Sequence, residues 1–408
     1  MILYQILMAF ALPGFLLHAL WRGGWPEVRQ RLGLGAGPAH LWIHGASVGE
    51  LTSAKWVIDA LIAARPGLTL VVTSNTQTGR RLVDSWGLGA ITSRLAPIDG
   101  AGAAGRMLDD MAPRALIIIE NELWPARIAA ASRRGAQVLV IGARLSARSA
   151  GRWARWPDLI ETTLSQIDWL SAQDDASAAR LLDLGLPPAS LGPVVTLKAH
   201  ALPGLQPPPF APLAPRAKTL LAASTHEGEE DDILQAFAHA RKIGGPQTLI
   251  LAPRHPDRGD QIAAMISARG LSFARRSKGP VPPPGTAVLL ADTMGEMSLW
   301  YAMSGICLIG GSFSDRGGHT PFEPANFGCA LLHGPSVHNF AAPFAALDSG
   351  GGAVRVAHLG ALEQALLAMT EDRQASVAGS MPACLAPFAQ GSGTIIDRLL
   401  SVLPKDLR

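Results

Sequence analysis

Short β-branched or leucine-rich runs alternate with longer amphipathic stretches in two separate series, and that rhythm limits the fold of this chain more than any other feature. The first series is His40–Ala46, Leu68–Ser74, Ala115–Glu120, Gln137–Gly142 and Ile167–Ala172. Each run has strand length and each interval can hold a crossover helix, so the series predicts βαβ units around a parallel sheet. A tract from Pro203 to Pro215 then holds six prolines, Pro203, Pro207, Pro208, Pro209, Pro212 and Pro215. Proline fixes φ and lacks the amide proton, so neither helix nor strand persists there and the tract reads as a linker. The second series is Lys218–Ser224, Gln247–Pro253, Thr286–Ala291, Ile306–Gly311 and Cys329–Gly334. A chain of 408 residues, at about 150 residues per domain, exceeds one core. The expected fold class is α/β, with two Rossmann-like lobes facing across a cleft and an N-terminal apolar anchor helix. The boundaries are 1–22 for the anchor, 23–200 for the first lobe, 201–217 for the linker and 218–408 for the second lobe. Ligands of open α/β sheets bind beyond the carboxyl ends of the strands, so chemistry is sought just after each run.

Charged residues are 16% of the chain, against roughly 25% in an average soluble domain, and the net charge is +3. That balance excludes a dedicated nucleic-acid coat and leaves room for contact with lipid. Cys307, Cys329 and Cys384 are far apart and form no C-x-x-C pair, which argues against a disulfide framework or a structural zinc site and for a reducing compartment. The segment Ile2–Leu20 has no charged residue, and Arg22, Arg29 and Arg31 follow it. As a helix it would reach about 28 Å, close to the roughly 30 Å of a bilayer's hydrocarbon core. It is read as a retained anchor or monotopic helix, and the arginines after it favour a cytoplasmic position for the rest of the chain.

The first run leads into His44-Gly45-Ala46-Ser47-Val48-Gly49-Glu50. Glycines in a strand-to-helix turn let a ligand approach the backbone, and the amides of a helix start attract anions, so Glu50 stands at a candidate cleft mouth. The bland alternative is a first-turn glutamate that steadies the helix dipole by about 0.3–1 kcal/mol. The same residues spell G-x-S-x-G, the nucleophile elbow of α/β-hydrolases, with Ser47 as nucleophile. That elbow follows several strands in those enzymes, whereas only the apolar segment precedes it here. A later run ends in Glu120-Asn121-Glu122-Leu123-Trp124-Pro125, which places two carboxylates at a strand end, either facing the cleft or capping a helix.

His226-Glu227-Gly228-Glu229-Glu230 resembles a zincin helix, but Glu230 replaces the second histidine and no D-x-D occurs, so metal-assisted chemistry is not indicated. Phosphate would have to be held by cationic side chains and helix amides. Pro253-Arg254-His255-Pro256 and the loop from Gly310-Gly311 through Gly317-Gly318-His319-Thr320-Pro321-Phe322-Glu323-Pro324 supply them, with Glu323 able to accept from ribose hydroxyls. Arg144, Arg148, Arg152 and Arg155, with Trp153 and Trp156, would form one stripe on a helix, suited to lipid phosphates or simply to water.

Taken in order, these motifs resemble the bacterial 3-deoxy-D-manno-octulosonate (Kdo) transferases of lipid A assembly, glycosyltransferases of GT-B architecture. The likeness rests on His44–Glu50, Thr76-Gln77-Thr78-Gly79, Glu120–Pro125, Ala143–Ser149, Ser224–Glu230, Pro253–Pro256, Asp292–Met297, Gly310–Pro324 and Asn339-Phe340. It implies an inverting transfer from CMP-Kdo to a lipid A precursor (lipid IVA), with no metal and no other cofactor, at the cytoplasmic side of the inner membrane. It also implies Glu50 as general base, Glu120 and Lys198 as transition-state stabilisers, and Pro253, Arg254, Met294, Gly295, Glu296, Thr320, Pro321, Phe322 and Glu323 as CMP-binding residues. The implied partners are CMP-Kdo, the lipid A precursor and inner-membrane lipid, with no nucleic acid. The runner-up readings are another nucleotide-sugar transferase of this architecture and the Ser47 hydrolase. Five positions depart from the family pattern: Val194-Val195 replace a usual Thr-Gly before Lys198, Thr320 a usual Asn, Ser336 a usual His with His338 two places on, and Ile98 a usual Tyr. One expectation cuts against the base, since a helix start should lower the pKa of Glu50.

Overall fold

The computed structural model describes residues 2–100, 102–120, 122–200, 210–279, 281–405 and 407. Most of the expected linker, 201–209, and Asn121 lie outside the described residues. The chain forms two α/β lobes, Met1–Ala201 with Ala389–Arg408 and Leu202–Phe388.

In the first unit the strands are β1 (Leu41–His44), β2 (Leu70–Ser74), β3 (Ile91–Leu95), β4 (Ala115–Ile119), β5 (Gln137–Ala143) and β6 (Trp169–Ala172). All pair in parallel, in the order β3-β2-β1-β4-β5-β6. The sequence runs read as strands are continuously apolar because both sheet faces are covered. Trp42, Val71, Leu116, Ile118, Val138 and Val140 point into one core. Their neighbours Leu41, Ile43, Leu70, Val72, Ile117, Ile119 and Leu139 point into the other. Strand β3 was not expected, since as a half-exposed edge it carries Thr92, Ser93 and Arg94 and has no apolar run.

The second unit holds β7 (Thr219–Thr225), β8 (Thr248–Pro253), β9 (Phe273–Arg275), β10 (Val288–Leu290), β11 (Ile306–Ile309), β12 (Ala330–His333) and β13 (Val354–Arg355). These are also parallel, in the order β13-β12-β11-β7-β8-β10-β9. In each sheet one point exists where consecutive strands depart in opposite directions. It lies between β1 and β4 in the first sheet and between β7 and β11 in the second. Such switch points open crevices at the carboxyl ends of the strands.

One expected boundary shifts. The second lobe ends at Phe388, not at residue 408, because Ile395, Leu399 and Leu403 of the final helical segment are buried in the first unit's core with Val57 and Leu61. The N-terminal helix, Ile2–Arg31, breaks at Gly24 (φ 66°, ψ −163°), just before Pro26. Beyond the break Glu27 and Val28 are buried, and Arg31 donates to the Asn75 carbonyl at 2.8 Å. Before it, Phe10 and Trp21 are each 83% exposed, with Ile6, Leu7, Phe15, Leu17 and Leu20 also outward. The stretch Tyr4–Arg31 is long and apolar enough to cross a membrane by length and composition. Tyr4 nonetheless ties its outer end to the first unit, donating to Asp99 at 2.6 Å.

Candidate active site

Three carboxylates and a lysine collect at the switch point of the first sheet. Glu50 enters from the helix Val48–Ala64 that follows β1, and Glu120 and Glu122 follow β4. Ser47 caps that helix by accepting from the Glu50 amide, and the Glu50 carboxylate turns back to accept from the Ala46 amide at 2.6 Å. Ser47 itself is ordinary extended backbone (φ −129°, ψ 165°), without the strained turn of a nucleophile elbow, so the hydrolase geometry is not formed. The expected depression of Glu50 is also overturned. Burial pushes its pKa up to about 7, the Ala46 hydrogen bond opposes the rise, and the charges of Glu120 and Glu122 add to it while Lys198 subtracts. Desolvation and like charge outweigh the helix start.

Glu120 is buried in the left-handed region (φ 57°), a conformation that costs a non-glycine residue about 1–3 kcal/mol and concentrates at functional sites. Lys198 reaches it at 3.4 Å. Despite the unusual Val194-Val195 before it, the loop carrying Lys198 is held firmly. The Val195 amide donates to Ala172, Trp56 Nε1 donates to the Leu197 carbonyl at 3.2 Å, and Leu197 packs over Gly142, where any Cβ would collide with it at 2.7 Å.

Glu122 has a different job. Burial pushes its carboxyl up, but hydrogen bonds from His44, Trp124 and Asn75 outweigh that and hold it at about 2. His44 is fully buried and pushed down to about 4 by desolvation and by Arg127, so it is neutral at pH 7. The network then fixes its tautomer: Nε2–H donates to Glu122 at 3.4 Å, and Nδ1 accepts from the Thr73 hydroxyl at 2.9 Å. Glu122 is therefore a half-buried anion at neutral pH that helps raise Glu50. His44 and Asn75 were assigned no role from sequence, because nothing in a one-dimensional pattern shows that both converge on Glu122.

In the second unit every sequence-predicted residue sits at the carboxyl end of the sheet. Pro253 closes β8 and Arg254, exposed, follows it. Met294, Gly295 (φ 85°) and Glu296 form the turn after β10, with Glu296 accepting from Arg276 at 2.7 and 3.1 Å and from the Thr293 hydroxyl. Thr320 accepts from the Phe322 amide at 3.3 Å, Pro321 and Phe322 are buried, and Glu323 is hydrogen-bonded to the buried Tyr301. The glycine loop differs from expectation in one respect. The Gly311 and Phe313 amides are not free for an anion, since Glu229 accepts from both, at 2.8 and 3.1 Å. Cations remain as the phosphate-holding groups. His338 lies against Gly317, and Asn339 Nδ2 donates to the Gly318 carbonyl at 3.2 Å, which pins the loop from the other side.

The four-arginine stripe is not formed on one helix. The helix Ala147–Trp153 carries only Arg148 and Arg152, and a second helix starts at Pro157. Instead, Arg144, Arg152, Trp153 and Trp156 line a groove of about 450 Å³. A more apolar cavity, also of about 450 Å³, adjoins it and is lined by Tyr4, Leu7, Trp153, Trp156, Pro157 and Leu159.

Comparison with known proteins places this arrangement. The family model "3-Deoxy-D-manno-octulosonic-acid transferase (kdotransferase)" matches residues 26–201, which contain Glu50, Glu120 and Lys198. The 3-deoxy-D-manno-octulosonic acid transferase of Haemophilus influenzae is 31% identical over 86% of this chain and 85% of its own. The chain belongs to the Kdo transferase family. The Bordetella pertussis transferase of the same name is 35% identical over 74% of this chain and 72% of its own. A glycosyltransferase from Rickettsia africae, 10% identical, shares the fold with a TM-score of 0.57 over 90% of this chain and 100% of that one. For a Kdo transferase, the first unit's switch point offers a carboxylate poised near neutrality beside an ion-paired lysine.

Proposed function

We propose that this enzyme transfers Kdo from CMP-Kdo to a hydroxyl of a lipid A precursor, with inversion and without a metal, at the cytoplasmic face of the inner membrane. The observation that carries the reading is Glu50, raised to about 7 beside Glu120 and Lys198. A general base works best with a pKa near the working pH. Glu50 takes the acceptor's hydroxyl proton as that oxygen attacks the anomeric carbon from the face opposite the phosphate. The bond from that carbon to the phosphate oxygen breaks, its electron pair leaves with CMP, and single displacement inverts the centre. Lys198 is the positive group for charge developing in the transition state, with Glu120 holding it in place. Pro253, Arg254, Met294–Glu296 and Thr320–Glu323 are the proposed CMP-binding segments. The outward Phe10 and Trp21 and the Arg144–Trp156 groove support contact with lipid.

Mass spectrometry of a lipid A precursor incubated with the protein and CMP-Kdo tests the proposal. Added Kdo is expected with the native chain and none with Glu50→Gln, while CMP still protects both proteins thermally. Transfer by the Glu50→Gln protein at native rates would remove the base from the mechanism.

A further inference from the structure

At the switch point of the second sheet, β7 and β11 each deliver one imidazole to the same place. His226 follows β7, His319 lies in the loop after β11, and their Nε2 atoms are 2.9 Å apart. The ring planes differ by 3° and the centroids are 5.2 Å apart. The centroids exceed the nitrogen separation by about two ring radii, so the rings meet edge to edge in one plane. Such a contact holds a single hydrogen, because one Nε2–H must donate and the other Nε2 must accept. The neutral pair has one unprotonated Nδ1, on the donor ring. Adding one proton fills it, after which both rings present an Nδ1–H and the pair carries one positive charge.

The surroundings oppose that proton while the site holds no anion. Burial, and then the charges of Arg316, His255 and Arg254, lower the pKa of His226, against a smaller opposing pull from Glu230. The His255 ring stands edge-on to His226 at 6.0 Å. Of the nearby acids, Glu227 is exposed and Asp315 lies next to Arg316 in the loop, while Glu229 and Glu230 are already engaged. Glu229 accepts from the His226, Gly311 and Phe313 amides, and Glu230 is gripped by Arg258 at 2.6 and 3.2 Å and by the Thr225 hydroxyl. His338, from the segment after β12, lies against Gly317 of this loop. An anion arriving among Arg254 and Arg316 would offset the charges that keep the pair neutral.

We propose that the His226–His319 pair takes up one proton when the phosphate of a nucleoside monophosphate binds beside it, and that the resulting shared cation stabilises the phosphate as it departs. This rests on the reading of the second unit as the nucleotide site. The balance is simple. In the bound donor the phosphodiester carries one negative charge, and after the bond to the sugar breaks the freed phosphate carries two. The pair keeps its proton and offsets the second charge, while the acceptor's proton goes to Glu50.

Calorimetric titration of CMP into the full chain, in buffers of different ionisation enthalpy between pH 8.5 and 7, counts the protons taken up. That range lies above CMP's own second ionisation at about 6. Native protein is expected to take up a growing fraction of a proton as pH falls, with affinity tightening by at most about tenfold per pH unit. His226→Gln and His319→Gln should bind CMP with no such uptake and a flat pH dependence. Should either variant lose CMP binding, imidazole ¹⁵N spectra of the native protein decide. Protonation of both Nδ1 atoms on adding CMP supports the proposal, and unchanged tautomers overturn it. Binding without uptake, or uptake unchanged in the variants, overturns it and leaves the nucleotide site standing. Failure of native protein to bind CMP at all overturns both.

Discussion

Glu50 combines two properties that a surface glutamate lacks, a fixed position and a pKa moved into the working range. Its rate dependence follows directly. kcat/KM for transfer should fall below about pH 7 as Glu50 is protonated, measured as an acid limb in the pH profile. Glu120→Gln removes one of the charges that raise Glu50 and releases Lys198, so that limb should move to lower pH while the maximal rate drops, by about 10- to 100-fold for a lost electrostatic partner. Stability runs the other way. A carboxyl whose folded pKa lies above its unfolded value loses stability as pH rises from the unfolded value near 4.5 toward 7, so Glu50→Gln should be more stable than the native chain at pH 8, by urea unfolding, and no more stable at pH 4. Reading the residues in order drew attention to Glu50 and to the Glu120–Glu122 pair, whereas Lys198 was named only through the family resemblance. It misjudged the sign of the Glu50 shift because burial and the nearness of Glu120 and Glu122 are three-dimensional facts. The structure also turned Glu122 from an alternative cleft acid into an anchored anion, through partners as distant in sequence as His44 and Asn75.

At the scale of elements, apolar runs revealed the central strands and missed β3, β9 and β13, all at or next to sheet edges, where one or both faces meet water and no continuous hydrophobic run is needed. Helical spacing misled at Arg144–Arg155. Four arginines at spacings of three and four suggest one face, but the helix ends at Trp153 and a second begins at Pro157, leaving only Arg144 and Arg152 of the four on the groove. The final helix, Ser392–Ser401, has an amphipathic pattern that does not name the core it joins. Leu399 is fully buried in the first unit, so Leu399→Ala should destabilise that unit by about 2–5 kcal/mol. Limited proteolysis should show cleavage within residues 23–200 rising well before cleavage within 218–388.

For the whole molecule, two tests separate this enzyme's charge and lipid economy from the alternatives. If cationic side chains meet the donor's phosphate, EDTA should leave the transfer rate unchanged within about twofold, in the mass-spectrometric assay. If the outward face of the N-terminal helix enters lipid, Phe10→Glu with Trp21→Glu should cut co-sedimentation with anionic vesicles several-fold while leaving CMP binding intact.

The return of residues 389–408 to the first unit also bears on how the protein is made. During synthesis, the first unit waits for Ile395, Leu399 and Leu403, which are made after every residue of the second unit. The first unit therefore completes its core only after the segment that follows the second unit has been made, so its closure comes late in the order of synthesis.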